Sequence, residues 1–302
     1  MAKIPYIFHF VFGLKEQTEP FHLMYYLCLR SCINVNQPDQ VYFHYYHEPY
    51  GEWWDRIKDE LVHRRIEPDQ VIARYNYENK GIEPFRYAHL SDITRLEILN
   101  EFGGIYADID TLFVNPLPRD LLEHPCVMGY ELSPSKTQAS LCNAWIAAEP
   151  NSVFCQEWLA RMIPEFDGSW SNHSTLLPYR LSQVLAEHIH VEPMSSFFQL
   201  SWKPKHVNDL FLRDVELKSN VYSLHLWNHL WFSPKRTDFS YFNEDLFTLD
   251  YVAYAQTTYA KEARKHLPKD ALPESPERFQ HMWARAKRDY PISYLKTKLG
   301  LI

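Results

Sequence analysis

Hydrophobic and polar residues alternate along the first half of the chain in a pattern typical of strands followed by helices. Residues 6–12 and 41–46 are dense runs of β-branched and aromatic side chains, which predict buried strands. Residues 70–75 predict a third, shorter strand. Helical apolar spacing predicts helices over residues 21–33 and 53–62, between these strands. Because such alternation usually gives parallel strands with right-handed crossovers, the pattern predicts an α/β fold.

The second half of the chain is less regular, and helical spacing dominates after Pro234. We predict strands and helices here as follows: strands over residues 126–131 and 221–227, and helices over residues 152–162, 176–186, 246–265 and 276–287. The chain shows neither an internal repeat nor a low-complexity linker. These patterns predict one α/β domain over residues 1–235 and a helical C-terminal extension over residues 236–302.

The most informative segment is the run 90–110, which predicts a helix, a glycine break, a short buried strand and two carboxylates. Gly103 and Gly104 supply the backbone freedom that a helix stop needs. Side chains of the following strand alternate, so Asp108 and Asp110 are predicted to leave it on the same side. Two carboxylates at the end of a buried strand repel each other unless a cation lies between them. The segment therefore predicts a divalent metal site.

This segment also resembles a known family signature. Ser-Asp-x-x-Arg at residues 91–95, followed by Gly-Gly-Ile-Tyr-x-Asp-x-Asp at residues 103–110, resembles the sugar-nucleotide signature of the Asp-x-Asp glycosyltransferases. Glycosyltransferase family 32, the capsular-polysaccharide transferases and the glucosylating domain of the large clostridial toxins are similar here. Residues 7–13 resemble their first strand, and residues 225–231 resemble their late His-x-Trp segment. The resemblance implies a GT-A-like fold with a single Rossmann-type nucleotide-sugar-binding domain.

The resemblance implies a role for each polar residue of the signature. Asp108 and Asp110 would bind Mn²⁺ or Mg²⁺, which prefer oxygen ligands, and Asp108 would also contact the ribose. His225 is a candidate third metal ligand. Asp92 and Arg95 would hold the hydroxyls of the donor sugar, with Arg95 also near the diphosphate. The alternative for this last pair is an ordinary salt bridge on a helix surface, worth about 0.2–0.5 kcal/mol.

Five further residues are candidates for the donor pocket. Val11 and Phe12 would form the platform for the nucleotide base, with a core position as the alternative for Phe12. Tyr106 would line the donor pocket or pack in the core. Trp227 would donate its indole N–H to a phosphate, with simple burial as the alternative. Asn143 matches a place where relatives have an amide that faces the sugar.

These features together predict a metal-dependent retaining glycosyltransferase that moves a sugar from a nucleotide-diphosphate sugar to a hydroxyl of a glycan or a lipid-linked acceptor. The polar segment 170–174 is a candidate acceptor contact, or else a capped loop. One alternative is a haloacid-dehalogenase-type phosphatase, although those enzymes carry Asp-x-Asp on their first strand. The other is a non-catalytic carbohydrate-binding protein on the same fold, for which intact metal-binding carboxylates would have no use.

Composition and charge mainly exclude certain partners and segments. The net charge is −7 and no Lys/Arg cluster stands out, so we expect no nucleic-acid partner. No apolar run reaches the ~18 residues of a membrane span, so we expect no transmembrane segment but leave peripheral membrane contact open. The chain starts directly on a strand-like run, which predicts no cleaved signal. Its 5 cysteines are expected to be reduced thiols in a cytoplasmic protein.

Overall fold

The core of the protein is a mixed seven-stranded β-sheet with a hydrophobic cluster on each face. A computed structural model describes residues 3–68, 70, 86–167, 169–228, 247–281 and 283–284. The strands are β1 (Ile7–Phe12), β2 (Gln40–Tyr45), β3 (Val62–Arg65), β4 (Gly104–Ala107), β5 (Thr111–Phe113), β6 (Cys126–Glu131), β7 (Ser140–Ala148), β8 (His190–Glu192) and β9 (Ser223–His225). Their order in the main sheet is β3-β2-β1-β4-β7-β6-β8, while β5 pairs with β9 in a separate ladder.

Helices connect these strands and cover the sheet. The α-helices in the described part of the chain are α1 (Leu23–Ser31), α2 (Glu52–Asp55), α3 (Arg86–Phe102), α4 (Val153–Met162), α5 (Leu177–Val184), α6 (Met194–Phe198), α7 (Pro204–Phe211), α8 (Leu249–Tyr254) and α9 (Thr258–Arg264). Two π-helices, Cys32–Asn36 and Asn172–Leu176, adjoin α1 and α5. Short 3₁₀ helices occupy Lys58–Glu60, Arg119–Glu123 and Ala186–His188. No helix among the described residues is long and apolar enough to cross a membrane.

The N-terminal half of the sheet has the parallel arrangement that the alternation of strands and helices predicts. β1 is parallel to β2 and β4, and β2 is parallel to β3. The four central residues of β1 are buried, because hydrophobic clusters lie on both faces of the sheet. The predicted α/β fold is confirmed. In such sheets ligands bind outside the carboxyl ends of the strands, so we expect a ligand site at the ends of β1 and β4.

The other half of the sheet departs from the parallel pattern. β7 is antiparallel to both β4 and β6, and it is the longest strand of the sheet. The pattern of hydrophobic and polar residues predicts no element at β7. Its residues Ser-Leu-Cys-Asn-Ala-Trp-Ile-Ala-Ala show no polar alternation, because both faces of the strand are buried, and its alanines favour helix rather than strand.

Two neighbouring predictions between β2 and α3 need correction. The helix predicted over residues 53–62 is short: Glu52–Asp55 is α-helical, Lys58–Glu60 is 3₁₀, and Val62 already begins β3. β3 is therefore the third parallel strand, earlier than predicted. The strand predicted over residues 70–75 lies outside the described residues, except for Gln70, which is helical.

The C-terminal region is helical, as predicted, but its helices are shorter. The single helix predicted over residues 246–265 is two helices, α8 and α9, because the chain turns at Ala255 into extended backbone and Thr257 caps the second helix. Residues 276–281 and 283–284 are helical within the predicted range 276–287. Tyr251 and Tyr259 are buried in the same cluster as α1, so this region packs on the main core. The domain boundary at residue 235 remains a prediction.

Gly103 and Gly104 make the sharp passage from α3 to β4 that the sequence predicts. Both have positive φ angles, 64° and 96°, which a side chain would strain. A Cβ atom on Gly103 would lie 2.6 Å from Cδ of Pro150, and one on Gly104 would lie 2.6 Å from Cγ1 of Ile7. Glycine is therefore required at both positions, and the passage directs the end of β4 toward a cavity at the carboxyl ends of the strands.

Candidate active site

A cavity of about 590 Å³ opens beyond the carboxyl ends of β1 and β4. Its walls come from β1, α3, the β4–β5 turn, the β6–β7 hairpin, the π-helix Asn172–Leu176 and the segment after β9. The cavity brings together all but one of the site residues that the sequence predicts: Val11, Asp92, Arg95, Tyr106, Asp108, Asp110, Asn143, His225 and Trp227. Phe12 is the exception.

The two carboxylates of the Asp-x-Asp motif come together through a turn. β4 ends at Ala107, and the N–H of Thr111 donates to the carbonyl of Asp108 at 2.9 Å, which closes a turn between β4 and β5. Asp108 and Asp110 therefore do not stand on one face of a strand, and the predicted alternation is wrong as the reason for their proximity. Asp110 is 3% exposed and Asp108 is partly exposed to the cavity.

The late strand β9 returns to this turn, as the His-x-Trp resemblance implies. β9 pairs antiparallel with β5, and Thr111 lies opposite His225. The Nε2 atom of His225 is 3.2 Å from Oδ1 of Asp110 and 3.6 Å from Oδ2 of Asp108. One ligand atom from each of these three residues lies within 4.8 Å of the others. The second oxygen of Asp110 accepts the backbone N–H of Asn228 at 2.8 Å.

The electrostatics of this cluster fit a cation. Burial opposes a charge on His225, yet Asp110 and Asp108 raise its pKa to about 10. Burial likewise opposes the charged form of Asp108, but Arg95 and His225 hold its pKa well below the usual value. The imidazole therefore carries a proton whose charge compensates the two carboxylates. Two carboxylate oxygens and an imidazole nitrogen are also ligands that Mn²⁺ accepts, and the oxygens suit Mg²⁺.

Asp92 and Arg95 lie on α3 and face the cavity, not the surface. Their exposures are 6% and 5%, so the alternative of an exposed helix salt bridge is wrong. Arg95 Nη2 is 3.2 Å from Oδ1 of Asp92, and Nη1 is 3.2 Å from Oδ1 of Asp108. Nη1 also donates to the carbonyl of Asn143 at 2.5 Å. The guanidinium thereby joins α3, the β4–β5 turn and β7, as its rigid fork of donors permits.

Asn143 and Tyr106 complete this polar cluster. The Nδ2 of Asn143 donates to Oδ1 of Asp92 at 2.7 Å, and the hydroxyl of Tyr106 donates to Oδ1 of Asp108 at 2.7 Å. The guanidinium of Arg95 lies 4.6 Å from the centre of the Tyr106 ring. Burial raises the pKa of Tyr106 well above its usual value, so the phenol keeps its proton and acts as a donor.

The remaining predicted residues divide between the cavity and the core. Val11 lines the cavity. Phe12 points to the opposite face of β1, where its ring lies 5.2 Å from Phe21 and 5.1 Å from Tyr25, which favours the core alternative. Trp227 lines the cavity, but its indole N–H donates to the carbonyl of Leu200 at 2.9 Å. That bond favours the burial alternative over a phosphate contact.

Three residues of the cavity wall, and one residue behind it, have features beyond those that the sequence predicts. Trp170 is 47% exposed and lies with Trp202 on the cavity wall. Burial raises the pKa of Glu131 to about 7, although Cys142 and the charge on His225 oppose the shift. His173 is fully buried behind Asp92. Glu131 could have been identified from the sequence, because it is a charged residue at the end of the buried strand β6. His173 could not, because its role depends on a tertiary contact that no local pattern predicts.

Comparison with known proteins indicates the class of protein. A family profile described as "Glycosyltransferase sugar-binding region containing DXD motif" matches residues 29–128. This region includes Asp92, Arg95, Asp108 and Asp110. This part of the chain therefore matches the glycosyltransferases with an Asp-x-Asp motif, as the resemblance implies.

The chain is also similar to three individual proteins. The chain is 32% identical over 244 residues to glucan organizing enzyme 1 of Cryptococcus neoformans, covering 75% of this chain and 63% of that protein. It is 24% identical over 182 residues to human alpha-1,4-N-acetylglucosaminyltransferase (55% and 50%). It is 23% identical over 192 residues to mouse lactosylceramide 4-alpha-galactosyltransferase (58% and 50%). The chain thus spans less than two thirds of the length of each of these relatives.

Solved structures with a similar arrangement include two glycosyltransferases. The glycosyltransferase GlyE of Streptococcus pneumoniae shares 12% identity and a TM-score of 0.48, covering 92% of this chain and 63% of that one. The galactosyltransferase LgtC, in complex with donor and acceptor sugar analogues, shares 11% identity and a TM-score of 0.41, covering 91% and 99%.

Proposed function

We propose that the protein is a metal-dependent retaining glycosyltransferase of GT-A-like fold that uses a nucleotide-diphosphate sugar as donor. One observation carries the proposal: Asp108, Asp110 and His225 converge within 4.8 Å in the cavity that also contains the buried pair Asp92 and Arg95. A carbohydrate-binding protein has no need for such a cluster of compensated charges.

The donor side of the cavity would act mainly on the departing diphosphate. Asp108, Asp110 and His225 would hold a divalent cation, which as a Lewis acid neutralises negative charge on the leaving group. Arg95 would contribute a fixed positive charge beside it. Because Asp108 and Asp92 already orient the guanidinium, little reorganisation is needed when charge develops.

Two observations support retention of the anomeric configuration. Two relatives have names that specify α-linkages, and transfer from an α-linked nucleotide sugar to an α-linkage retains the configuration. Retention also removes the need for a strong base opposite the leaving group. Glu131 is the carboxyl group of the cavity wall that lies outside the polar cluster, and its pKa, raised to about 7, lets it donate a hydrogen bond when it is protonated.

The acceptor side of the cavity would bind a sugar ring. Trp170 and Trp202 offer flat apolar surfaces of the kind that pack on pyranose rings, and Trp170 is exposed where a ligand could reach it. We therefore propose a hydroxyl of a glycan, free or lipid-linked, as the acceptor. The names of relatives include a glucan enzyme and a glycolipid galactosyltransferase.

The alternative enzyme class gains no support. The named relatives above are a glucan enzyme and two glycosyltransferases, and none is a phosphatase. We also propose a cytoplasmic, reducing location, because all five cysteines are buried and unpaired. Peripheral contact with a membrane remains compatible with a lipid-linked acceptor.

The deciding experiment measures nucleoside diphosphate release from a panel of nucleotide sugars with Mn²⁺, with and without glycan acceptors. We expect one donor to be consumed, with release stopped by EDTA and restored by excess Mn²⁺. Phosphate release from sugar phosphates would instead indicate the phosphatase. Binding of oligosaccharides without consumption of any donor would indicate the non-catalytic alternative.

A further inference from the structure

His173 is a buried histidine that the proposed chemistry does not use. It lies in the π-helix Asn172–Leu176 with no exposed surface, and its Nε2 is 3.1 Å from Oδ2 of Asp92. Its Nδ1 is buried and has no hydrogen-bond partner among the described residues. This geometry suits donation of a hydrogen bond from the Nε2–H of His173 to Oδ2 of Asp92.

The packing around the ring fixes its orientation. Phe166 and His89 stand edge-on to it, each with a ring centre 4.4 Å from that of His173. Those two rings stack on each other at 4.8 Å, so His173 packs against a continuous pair of rings. Contacts with both rings therefore help to hold the plane of the His173 imidazole.

The other oxygen of Asp92 is held from different parts of the chain. Oδ1 accepts from Nδ2 of Asn143 at 2.7 Å and lies 3.2 Å from Nη2 of Arg95. Asp92 is thus fixed by α3, by β7 and by the π-helix together. Of these three restraints, only the bond from His173 reaches Oδ2. Removing it frees one end of the carboxylate while the other end stays held.

The π-helix that carries His173 is also a wall of the cavity. Ser174 and Thr175 line the cavity, while the carbonyl of His173 accepts the indole N–H of Trp158 at 2.9 Å. The same short helix therefore places His173 against Asp92 and places Ser174 and Thr175 on the cavity wall. π-Helices often mark functional sites, because their wide turn redirects neighbouring side chains.

We propose that His173 is a positioning residue, which holds Asp92 in the orientation for binding the donor sugar and ties the π-helical wall of the cavity to that carboxylate. The inference rests on the proposed function, since it assigns Asp92 to the donor sugar. It predicts that His173 affects turnover through Asp92, and not through general stability.

A double-mutant cycle tests this coupling. His173→Leu keeps most of the volume but removes the donor, so we expect kcat/KM for the nucleotide sugar to fall about tenfold. His173→Gln places an amide N–H near the former Nε2 position and should recover activity to within about threefold of wild type. In an Asp92→Asn background, His173→Leu should change kcat/KM by less than about twofold.

Phe166→Leu is the matched control, because it loosens the packing against His173 without removing a hydrogen bond to Asp92. It should lower the Tm while leaving kcat/KM within about twofold of wild type. Full additivity of His173→Leu and Asp92→Asn would overturn the proposal. So would an equal loss of activity in Phe166→Leu and His173→Leu, since packing alone would then explain both.

A measurement independent of activity separates this inference from the proposed function. Nitrogen-15 NMR of the histidine side chains, with the His173 signal assigned from its loss in His173→Gln, should show a proton on Nε2 of His173. If no nucleotide sugar is consumed by the wild type, the proposed function fails while this spectrum still decides the hydrogen bond. A ring protonated on Nδ1 alone would overturn the inference even in an active enzyme.

Discussion

The two sides of the cavity are built on different physical principles. On the side of α3 and β7, Asp92 and Arg95 are about 95% buried and every charged group has an opposite charge or a hydrogen-bond donor beside it. On the side formed by the end of β6 and the chain around residues 170 and 202, the wall is aromatic. Trp170 there is 47% exposed.

The difference indicates where specificity is fixed. A buried charge network tolerates little change, because removing one member leaves another charge buried without its partner. An aromatic wall makes contacts that are less directional, so it accommodates ring substituents and can change by small steps. Under the proposed function, the polar side suits a constant task, the handling of a nucleotide sugar, and the aromatic side suits a variable one, the choice of acceptor.

Asp110→Asn is the strongest test of the polar side. The amide is a weaker ligand, so we expect the Mn²⁺-supported kcat to fall at least roughly 100-fold while the fold is retained. Steady-state nucleoside diphosphate release measures the loss, and circular dichroism checks the fold. Asp214→Asn, at an exposed ion pair with Lys261, is the control and should be silent. Full wild-type activity in excess EDTA would refute the metal role of the whole cluster.

Arg95→Lys tests whether the fork of the guanidinium matters as well as its charge. Lysine cannot reach Asp92, Asp108 and the carbonyl of Asn143 together, so we expect kcat/KM to fall about tenfold, or about 1.4 kcal/mol. Because Arg95 is buried, the Tm should fall as well, unlike that of a surface pair. Arg161→Lys, in an exposed pair on α4, is the control. Equal behaviour of the two variants would remove Arg95 from the donor side.

Trp170→Ala addresses the aromatic side. Loss of one stacking surface should raise the KM for the glycan acceptor about fivefold, while donor hydrolysis in the absence of acceptor stays unchanged. Tyr50→Ala is matched to it, since Tyr50 is also 47% exposed but does not line the cavity. A rise in the donor KM with no effect on the acceptor would reverse the assignment of the two sides.

Glu131→Gln should have the smallest effect, and its sign depends on pH. The pKa of Glu131 is raised to about 7 in the folded protein from an ordinary value of 4.5, so the folded state binds more protons between these values. Its contribution is fully present below pH 4.5 and is lost as the pH rises through 7. The glutamine variant should therefore gain about 1 kcal/mol, or roughly 2–4 °C in Tm, at pH 8 and little at pH 5.

Thermal unfolding at the two pH values checks this prediction. Glu187→Gln, at a highly exposed glutamate, is the control and should show no pH-dependent difference. If Glu131→Gln gained as much stability over wild type at pH 5 as at pH 8, the gain would not come from the buried charge.

The local pattern of apolar and polar residues was sufficient to predict several strands and helices. β1, β2, β6 and α4 fall close to their predicted ranges, because dense apolar runs and helical spacing specify them. β7 was missed because a strand buried on both faces carries no alternation. The helix predicted over residues 53–62 was too long, since β3 begins where its apolar spacing would continue.

The candidate site, like the fold, could be predicted from the sequence only in part. The signature named the carboxylates, but it gave the wrong local geometry, because a turn and not a strand joins Asp108 to Asp110. Resemblance, rather than pattern, pointed to His225. The contact between His173 and Asp92 spans 81 residues and involves a residue type that is common in this chain, so only the folded structure reveals it.

The ladder between β5 and β9 has a consequence for how the protein folds. The contact between His225 and Asp110 joins positions 115 residues apart, and closing a loop of that size costs conformational entropy before any contact stabilises it. An ion held by both positions would act as a reversible cross-link across that loop. Metal binding would then be linked to the completion of the fold. Residues 29–128, which the family profile covers, contain only one end of this link.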